Sequence, residues 1–287
     1  MKDLLISEIK EIQEDIKTLF LSHSQIYYEN YSGGGVIVVA PDHHFKELDE
    51  AGKKLQNKIF KSWDKTFPKV KFFLSHINPQ DLREIENHEK WIIKNIQQSY
   101  GTYKRNVEEV WNETLDYFSP ILDCINSSYS KTEGKIILIA DTNSLLFNPN
   151  LEKWNYGDFN SFSILLTSTV LSELDLLKIN SRNESVRDKA KTIINKIKEY
   201  RRRGNMVEGV DVVKNKISML TDPLEPDFEN SLVYLDSNNK DDRLIATTLE
   251  IIRNHSESKI YLVTSDINLQ NKADYSCIPF LEPPEIV

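Results

Sequence analysis

The sequence predicts an α/β domain over residues 135–287, with a parallel sheet sandwiched by helices, preceded by a mainly α-helical domain over residues 1–130. Three observations predict this. After residue 135, short apolar runs recur at KIILIA (135–140), SILLTST (163–169), a weaker KISML (216–220) and KIYLVTS (259–265). Helical stretches separate them, and strands that are apolar throughout rather than alternating are covered on both faces, as in a parallel sheet. Before residue 130, apolar residues recur mostly at helical spacing instead.

Taken in order, Leu5, Ile9, Ile12, Ile16 and Leu19 place one apolar stripe on a first helix. A second helix is expected over about 44–63 (Phe45, Leu48, Ala51, Leu55, Ile59 inward). A long third is expected over about 80–118, with Trp91, Ile92, Ile96, Tyr103, Val107, Val110 and Trp111 on its buried side. Between the first two, Gly33-Gly34-Gly35 leads into the strand-like VIVVA. No Gly-Lys-Ser/Thr follows and the next helix opens with Pro41-Asp42, so the glycines read as a turn rather than a phosphate loop. The polar segment INSSYSKTEGK (125–135) marks the expected domain boundary. Beyond it, Val186, Ala190, Ile193, Ile194, Ile197 and Tyr200 form one apolar helix face, and Leu244, Ala246, Leu249, Ile251 and Ile252 lie in another apolar segment.

Composition excludes several classes of function. The formal net charge is −8, so the chain does not coat nucleic acid by bulk charge, and any such contact is local. Cys124 and Cys277 are too far apart in sequence for a CxxC pair and form no disulfide framework, which makes a reducing cytoplasm the expected compartment. No run approaches the roughly 18 apolar residues of a membrane span. The start, MKDLLISEIKEIQEDIK, reads as an acidic amphipathic helix rather than a secretory signal. His43-His44 lacks a third ligand at metal spacing, and His88-Glu89 is not followed by the second histidine of HExxH, so no zinc site is expected. A Gly-x-Ser-x-Gly elbow is also missing.

Open α/β sheets bind ligands at the carboxyl ends of their strands. Here those ends are acidic. KIILIA ends on Asp141, SILLTST runs into Val170-Leu171-Ser172-Glu173-Leu174-Asp175, KIYLVTS ends on Asp266, and Asp242 opens a helix in NNKDDRLIATTLE. One aspartate in such a place is accounted for as a helix N-cap. Four acids at one sheet edge repel unless a divalent cation neutralises them, and oxygen donors suit Mg²⁺ or Mn²⁺. Asp175, two positions from Glu173, does not share its helix face and reads, like Asp241, as a solvated neighbour.

With these motifs in this order, the segment from about 135 to 287 resembles the PIN-domain ribonuclease superfamily. The matching stretches are Asp141-Thr142-Asn143, Val170 to Asp175, Asp242-Arg243-Leu244-Ile245-Ala246, and Thr264-Ser265-Asp266-Ile267-Asn268-Leu269. Leu174-Asp175-Leu176-Leu177-Lys178 and Asn239-Lys240-Asp241-Asp242-Arg243 are similar to the larger PIN branch of eukaryotic decay endonucleases and bacterial PIN–helicase fusions. The resemblance implies that Asp141, Glu173, Asp242 and Asp266 are the catalytic and metal-holding acids, with Asn143 and Thr264 in support and Mg²⁺ or Mn²⁺ as cofactor. It implies hydrolysis of RNA, expected to be single-stranded, by an activated water. Asp242 is preferred to Asp241 because it lies three residues before Ile245-Ala246. A catalytically silent PIN-like scaffold that binds RNA or protein is the alternative, and acids at all four positions favour the enzyme. A phosphatase of the haloacid-dehalogenase type needs Asp-x-Asp, and Asn143 occupies the second position.

A polyanion approaching such acids needs local positive charge. Span 178–203 holds ten basic residues against three acidic ones, and Lys196, Lys198, Arg201, Arg202 and Arg203 are the expected nucleic-acid-binding residues. The helical half carries Trp63, Trp91 and Trp111 with several tyrosines, and its expected role is assembly or regulation, through a homo-oligomer or a protein partner.

Overall fold

The computed structural model describes residues 1–28, 43–75, 79–99, 101–128, 134–223 and 225–285, and packing divides the chain into residues 2–128 and 129–287. The first unit contains helix α1 (Lys2–Thr18), strands β1 (Ile26–Tyr28) and β2 (His43–Phe45), helices α2 (Glu50–Leu74) and α3 (Pro79–Gln97), strand β3 (Gly101–Thr102) and helix α4 (Val107–Ser127). The predicted stripe is buried at all five positions, Leu5, Ile9, Ile12 and Ile16 on α1 and Leu19 just past its end, and the core continues through Ile59, Trp63, Phe67 and Phe73 of α2, Ile92 and Ile96 of α3, and Phe118 and Ile121 of α4.

Two expected helices are bounded differently. Residues 43–45 are a strand, and α2 begins only at Glu50, where Asp49 caps it by accepting the Gly52 amide at 2.6 Å. The long third helix is two helices. Gln98 takes a positive φ of 53°, Gly101–Thr102 pairs as an edge strand, and Asn106 caps α4 through the Glu109 amide at 2.9 Å. The broken helix also changes which residues are inside. Ile85, Ile92 and Ile96 set the buried face of α3, so Trp91, one residue and about 100° away, stands 45% exposed against Tyr117, and Tyr103 is exposed outside any helix. Gly33-Gly34-Gly35 and VIVVA fall outside the described residues.

The first unit also encloses a charge. Lys69 is fully buried, 2.6 Å from Glu8 Oε2, and Glu8 additionally receives Lys65 and the Thr66 hydroxyl.

The second unit runs β4 (Ile136–Ala140), α5 (Thr142–Phe147), β5 (Phe162–Thr167), α6 (Ser168–Asn180), α7 (Glu184–Arg203), β6 (Val210–Val213), β7 (Ile217–Asp222), α8 (Lys240–Asn254), β8 (Lys259–Val263), α9 (Ile267–Tyr275) and β9 (Phe280–Leu281). Six strands form one sheet in the order β6-β7-β5-β4-β8-β9. All neighbours are parallel except β6 and β7. That antiparallel edge, unanticipated from the sequence, arises from a tight Lys214-Asn215-Lys216 turn in which Asn215 takes φ 60°, a left-handed conformation that asparagine tolerates. Strand β5 is buried along its whole length, and β4 from Ile137 onward, as the apolar runs require. The register aligns the ends of the central strands: Ala140 lies beside Val263, and Thr167 beside Asp222. Side chains leaving β4, β5 and β8 therefore emerge at one edge.

Candidate active site

A cleft of about 270 Å³ opens at that edge, and Asp141, Asn143, Glu173, Lys240, Asp241 and Asp266 line it. Asp141 follows β4 directly and caps α5. Its Oδ1 accepts the Ser144 amide at 2.6 Å, and its Oδ2 accepts the Thr264 hydroxyl at 2.6 Å, so the carboxylate is pinned from two sides. Burial pushes its pKa up, the charge of Asp266 adds to that, and the bonds from Thr264 and Ser144 oppose it. Thr264 is itself buried and accepts the Asp266 amide at 3.0 Å, which ties the ends of β4 and β8 together. Asp266 caps α9, with Oδ1 accepting the amides of Asn268 and Leu269.

Glu173 comes from α6. Thr169, Glu173, Leu176 and Leu177 fall at helical spacing and line the cleft together, whereas Asp175 lies off that face and pairs with Lys178 at 2.8 Å. The Thr142 hydroxyl donates to Glu173 Oε2 at 2.6 Å, and Lys240 sits 2.9 Å from Glu173 Oε1.

The fourth position separates the two neighbouring aspartates. Asn239 caps α8, which puts Asp241 on the cleft face with Leu244. Asp242 lies on the inward face with Ile245 and Ala246. It is buried, accepts the Asp236 amide at 3.0 Å and pairs with Lys272 at 2.7 Å. Three of the four acids chosen from the sequence thus line the cleft, and Asp241 rather than Asp242 accompanies them. The apolar pattern of α8 carries the signal for this difference: Asp242 precedes the buried Ile245-Ala246-Leu249 face by one helical turn, so it points with that face.

Sequence reasoning gave no role to Thr142, Thr169, Lys240 or Lys272. Lys272 lies between Asp242 at 2.7 Å and Asp241 at 3.5 Å. Burial disfavours its charge, but these carboxylates outweigh burial and raise its pKa. Of the expected basic track, Lys196 is committed to Glu152 at 2.7 Å, and Arg203 pairs with Glu199 and stacks on Tyr200. Lys198, Arg201 and Arg202 are exposed on α7 and make no ion pair among the described residues. The chain leaving α7 returns to the carboxyl edge, where Met206 accepts the Thr221 amide at 2.9 Å.

The donor chemistry of the cleft fits a hard divalent cation. Its carboxylates are oxygen donors, the charge of Asp266 adds to the cost of ionising Asp141, and Thr169 Oγ1 is buried in the cleft wall with no hydrogen-bond partner among the described residues. Among the described residues no group of three or more acids, histidines or cysteines is placed to hold a metal ion. Mg²⁺ is usually held by one or two carboxylates and completed by water.

The second unit is thus an open α/β domain with acids at the carboxyl edge of its central strands. The PIN-domain family profile matches residues 138–281, and the chain belongs to the PIN-domain family. That family consists in general of nucleases that use divalent metals such as Mg²⁺ or Mn²⁺, although some PIN domains are inactive. No curated protein matches the chain. Among the described residues no helix is long and apolar enough to cross a membrane.

Proposed function

We propose that residues 135–287 act as a metal-dependent endoribonuclease, and that the observation carrying this reading is the meeting of Asp141, Glu173, Asp241 and Asp266 in one cleft at the sheet edge. Asp141 and Asp266 are the residues that would hold Mg²⁺ or Mn²⁺, with Glu173 beside them. When bound, the cation supplies the positive charge that the nonbridging and leaving oxygens of a phosphodiester require, and acidifies a nearby water. The chain supplies orientation. Thr264 and the Ser144 amide prevent Asp141 from rotating, Thr142 does the same for Glu173, and the α9 cap fixes Asp266. Asn143, exposed at the cleft rim, is placed to hydrogen-bond the substrate backbone. Asp242 anchors Lys272 and the 236 loop rather than meeting the substrate.

Single-stranded RNA is the proposed substrate, with Lys198, Arg201 and Arg202 as the phosphate contacts left available on α7. The first unit is proposed to serve assembly or regulation, through a second copy or a protein partner, with the protein acting in the cytoplasm. A second reading, a silent PIN-like scaffold, is favoured by one observation: Lys240 and Lys272 already neutralise Glu173, Asp241 and Asp242, in place of a metal ion. Cleavage of a fluorescent single-stranded RNA by wild type and Asp141→Asn, with a Mn²⁺ thermal-shift titration of both, separates the readings. Metal-dependent cleavage lost in Asp141→Asn supports the enzyme. RNA binding without cleavage supports the scaffold.

A further inference from the structure

The acid cleft contains its own cation. Lys240 Nζ lies 2.9 Å from Glu173 Oε1, while the other oxygen of that carboxylate accepts the Thr142 hydroxyl. Both residues line the cleft with Asp141, Asp241 and Asp266, so among the described lining residues four acids accompany one ammonium, with Lys272 reaching Asp241 from outside the lining. The two lysines at this edge are held very differently. Lys272 is mostly covered and spans Asp242, Asp241 and the side-chain oxygen of Asn239. Lys240 is 61% exposed and pairs with Glu173 alone among the described residues. An exposed pair held by a single interaction is weak in water and exchanges readily.

The root of Lys240 is nevertheless fixed. It is the first residue of α8, directly behind the Asn239 cap, which accepts the amides of both Asp241 and Asp242. A long, flexible side chain leaving a fixed helix start can change partners without any backbone movement. Its compact, strongly hydrated ammonium pairs as well with a phosphate oxygen as with a carboxylate.

We propose that Lys240 is a substrate-positioning residue that exchanges partners. With the cleft free of metal it neutralises Glu173; a divalent cation beside Glu173 repels it, and it then pairs with a phosphate of the RNA strand entering the cleft. The inference rests on the metal-dependent reading above and adds to it an order of events: metal binding exposes the positive charge that holds the polyanion. Lys240 and the cation compete for Glu173, so removing the lysine strengthens metal binding and weakens RNA binding. A lysine with a merely structural role would weaken both or neither.

The test uses the full chain as wild type, Lys240→Met, Lys240→Arg, Glu173→Gln and the double variant Glu173→Gln/Lys240→Met. Mn²⁺ affinity is read by calorimetry without RNA, and RNA affinity by anisotropy with Ca²⁺ in place of a cleavage-supporting metal. Lys240→Met should bind Mn²⁺ about two- to fivefold more tightly, the scale of an exposed ion pair. In the Glu173→Gln background the same change should leave Mn²⁺ affinity unaltered. RNA affinity of Lys240→Met should fall, with its logarithmic salt slope smaller by about 0.7, the value for one phosphate of a single strand. Lys240→Arg should retain RNA affinity. If wild type binds Mn²⁺ and Lys240→Met binds it equally or more weakly, the exchange is overturned while the metal-dependent reading stands. If wild type binds no Mn²⁺, both fall together. Circular dichroism of each variant reports folding.

Discussion

Each unit of the chain joins lysines to carboxylates, and the two do so in opposite ways. In the helical unit, Lys69 is fully buried against Glu8, which also takes Lys65 and Thr66. Two ammonium groups and a hydroxyl more than balance that one carboxylate's charge, and Glu8 is held below its ordinary pKa because Lys69 and Lys65 outweigh burial. At the sheet edge of the PIN unit the charge balance is left open. Asp141 is held above its ordinary pKa by burial and by Asp266. Among the described residues Glu173 has one exposed lysine, and Thr169 Oγ1 is buried without a partner. A satisfied network maintains a fold. A network short of positive charge stores a demand for a cation, and that demand is the physical basis for reading this edge as the working site.

The largest effect should come from removing the buried acid at the end of β4. Asp141→Asn keeps the oxygen that caps α5 but deletes the charge, and metal-dependent cleavage should fall on the order of 10²–10³-fold, the scale of removing one preorganised electrostatic interaction. The midpoint of thermal unfolding should hold or rise, since burial disfavours the charge being removed. Initial rates and calorimetry check both. Wild-type cleavage by this variant would remove Asp141 from the site.

Breaking the satisfied network should act on stability instead. Lys69→Met leaves Glu8 partly buried with fewer partners and should cost about 3 kcal/mol in denaturant unfolding. The same contrast appears as opposite pH dependences. Glu8, with its pKa lowered from 4.5, contributes stability that is present above 4.5 and lost as pH falls through its lowered folded value. Asp141, with its pKa raised from 3.8, contributes stability that is present below 3.8 and lost as pH rises through its raised folded value. Wild type against Glu8→Gln and wild type against Asp141→Asn, unfolded at a series of pH values, should therefore show stability differences that change with pH in opposite directions. Parallel trends would refute the comparison between the two networks.

Much of this contrast was legible in the sequence, and for identifiable reasons. Strands buried on both faces must be apolar throughout, so β4, β5 and β8 announce themselves, and the acids that end them inherit a known edge. The α1 stripe is legible because one helix face sees one core. Strand β2 and the break between α3 and α4 were not legible. They depend on the Asp49 and Asn106 caps and on pairing between residues distant in sequence, which local periodicity does not encode. The choice between Asp241 and Asp242 turns on about 100° of helix rotation, set by the Asn239 cap. Lys240 and Lys272 escaped notice because a lysine beside an acid is common in sequence, and only tertiary structure brings Lys240 to Glu173 and Lys272 to Asp242.

An intermediate effect is expected at Lys272. Its removal leaves Asp242, which is mostly buried, with the Asp236 amide as its remaining partner. Lys272→Met should lower stability by about 1–2 kcal/mol, less than Lys69→Met because this site reaches water. It should also reduce cleavage by disturbing Asp241. If stability is unchanged, Lys272 belongs with Lys240 among the exchangeable lysines, and the division between anchored and mobile cations at this edge would have to be redrawn.

The smallest effect, and the finest test of where each lysine and arginine belongs, lies on α7. Lys196 and Arg203 are occupied by Glu152 and Glu199, whereas Arg201 and Arg202 extend from the last turn without an ion pair among the described residues. Two consecutive helical residues diverge by about 100°, so a single strand can meet one or both. The double substitution Arg201→Ala/Arg202→Ala should weaken RNA binding only a few-fold and without regard to sequence. Its salt slope should be smaller by about 0.7 for each phosphate that an arginine no longer neutralises, and Mn²⁺ affinity should not move. Lys196→Ala provides the internal contrast. It removes the ammonium from Glu152, which keeps the Tyr200 hydroxyl and a backbone amide as donors, and should lower stability while leaving the salt slope in place. A slope that falls with Lys196→Ala and not with the arginine pair would mean that the paired lysine, not the free arginines, follows the strand. The rule that satisfied charges maintain the fold while unsatisfied ones meet the ligand would then fail in the unit where it matters most.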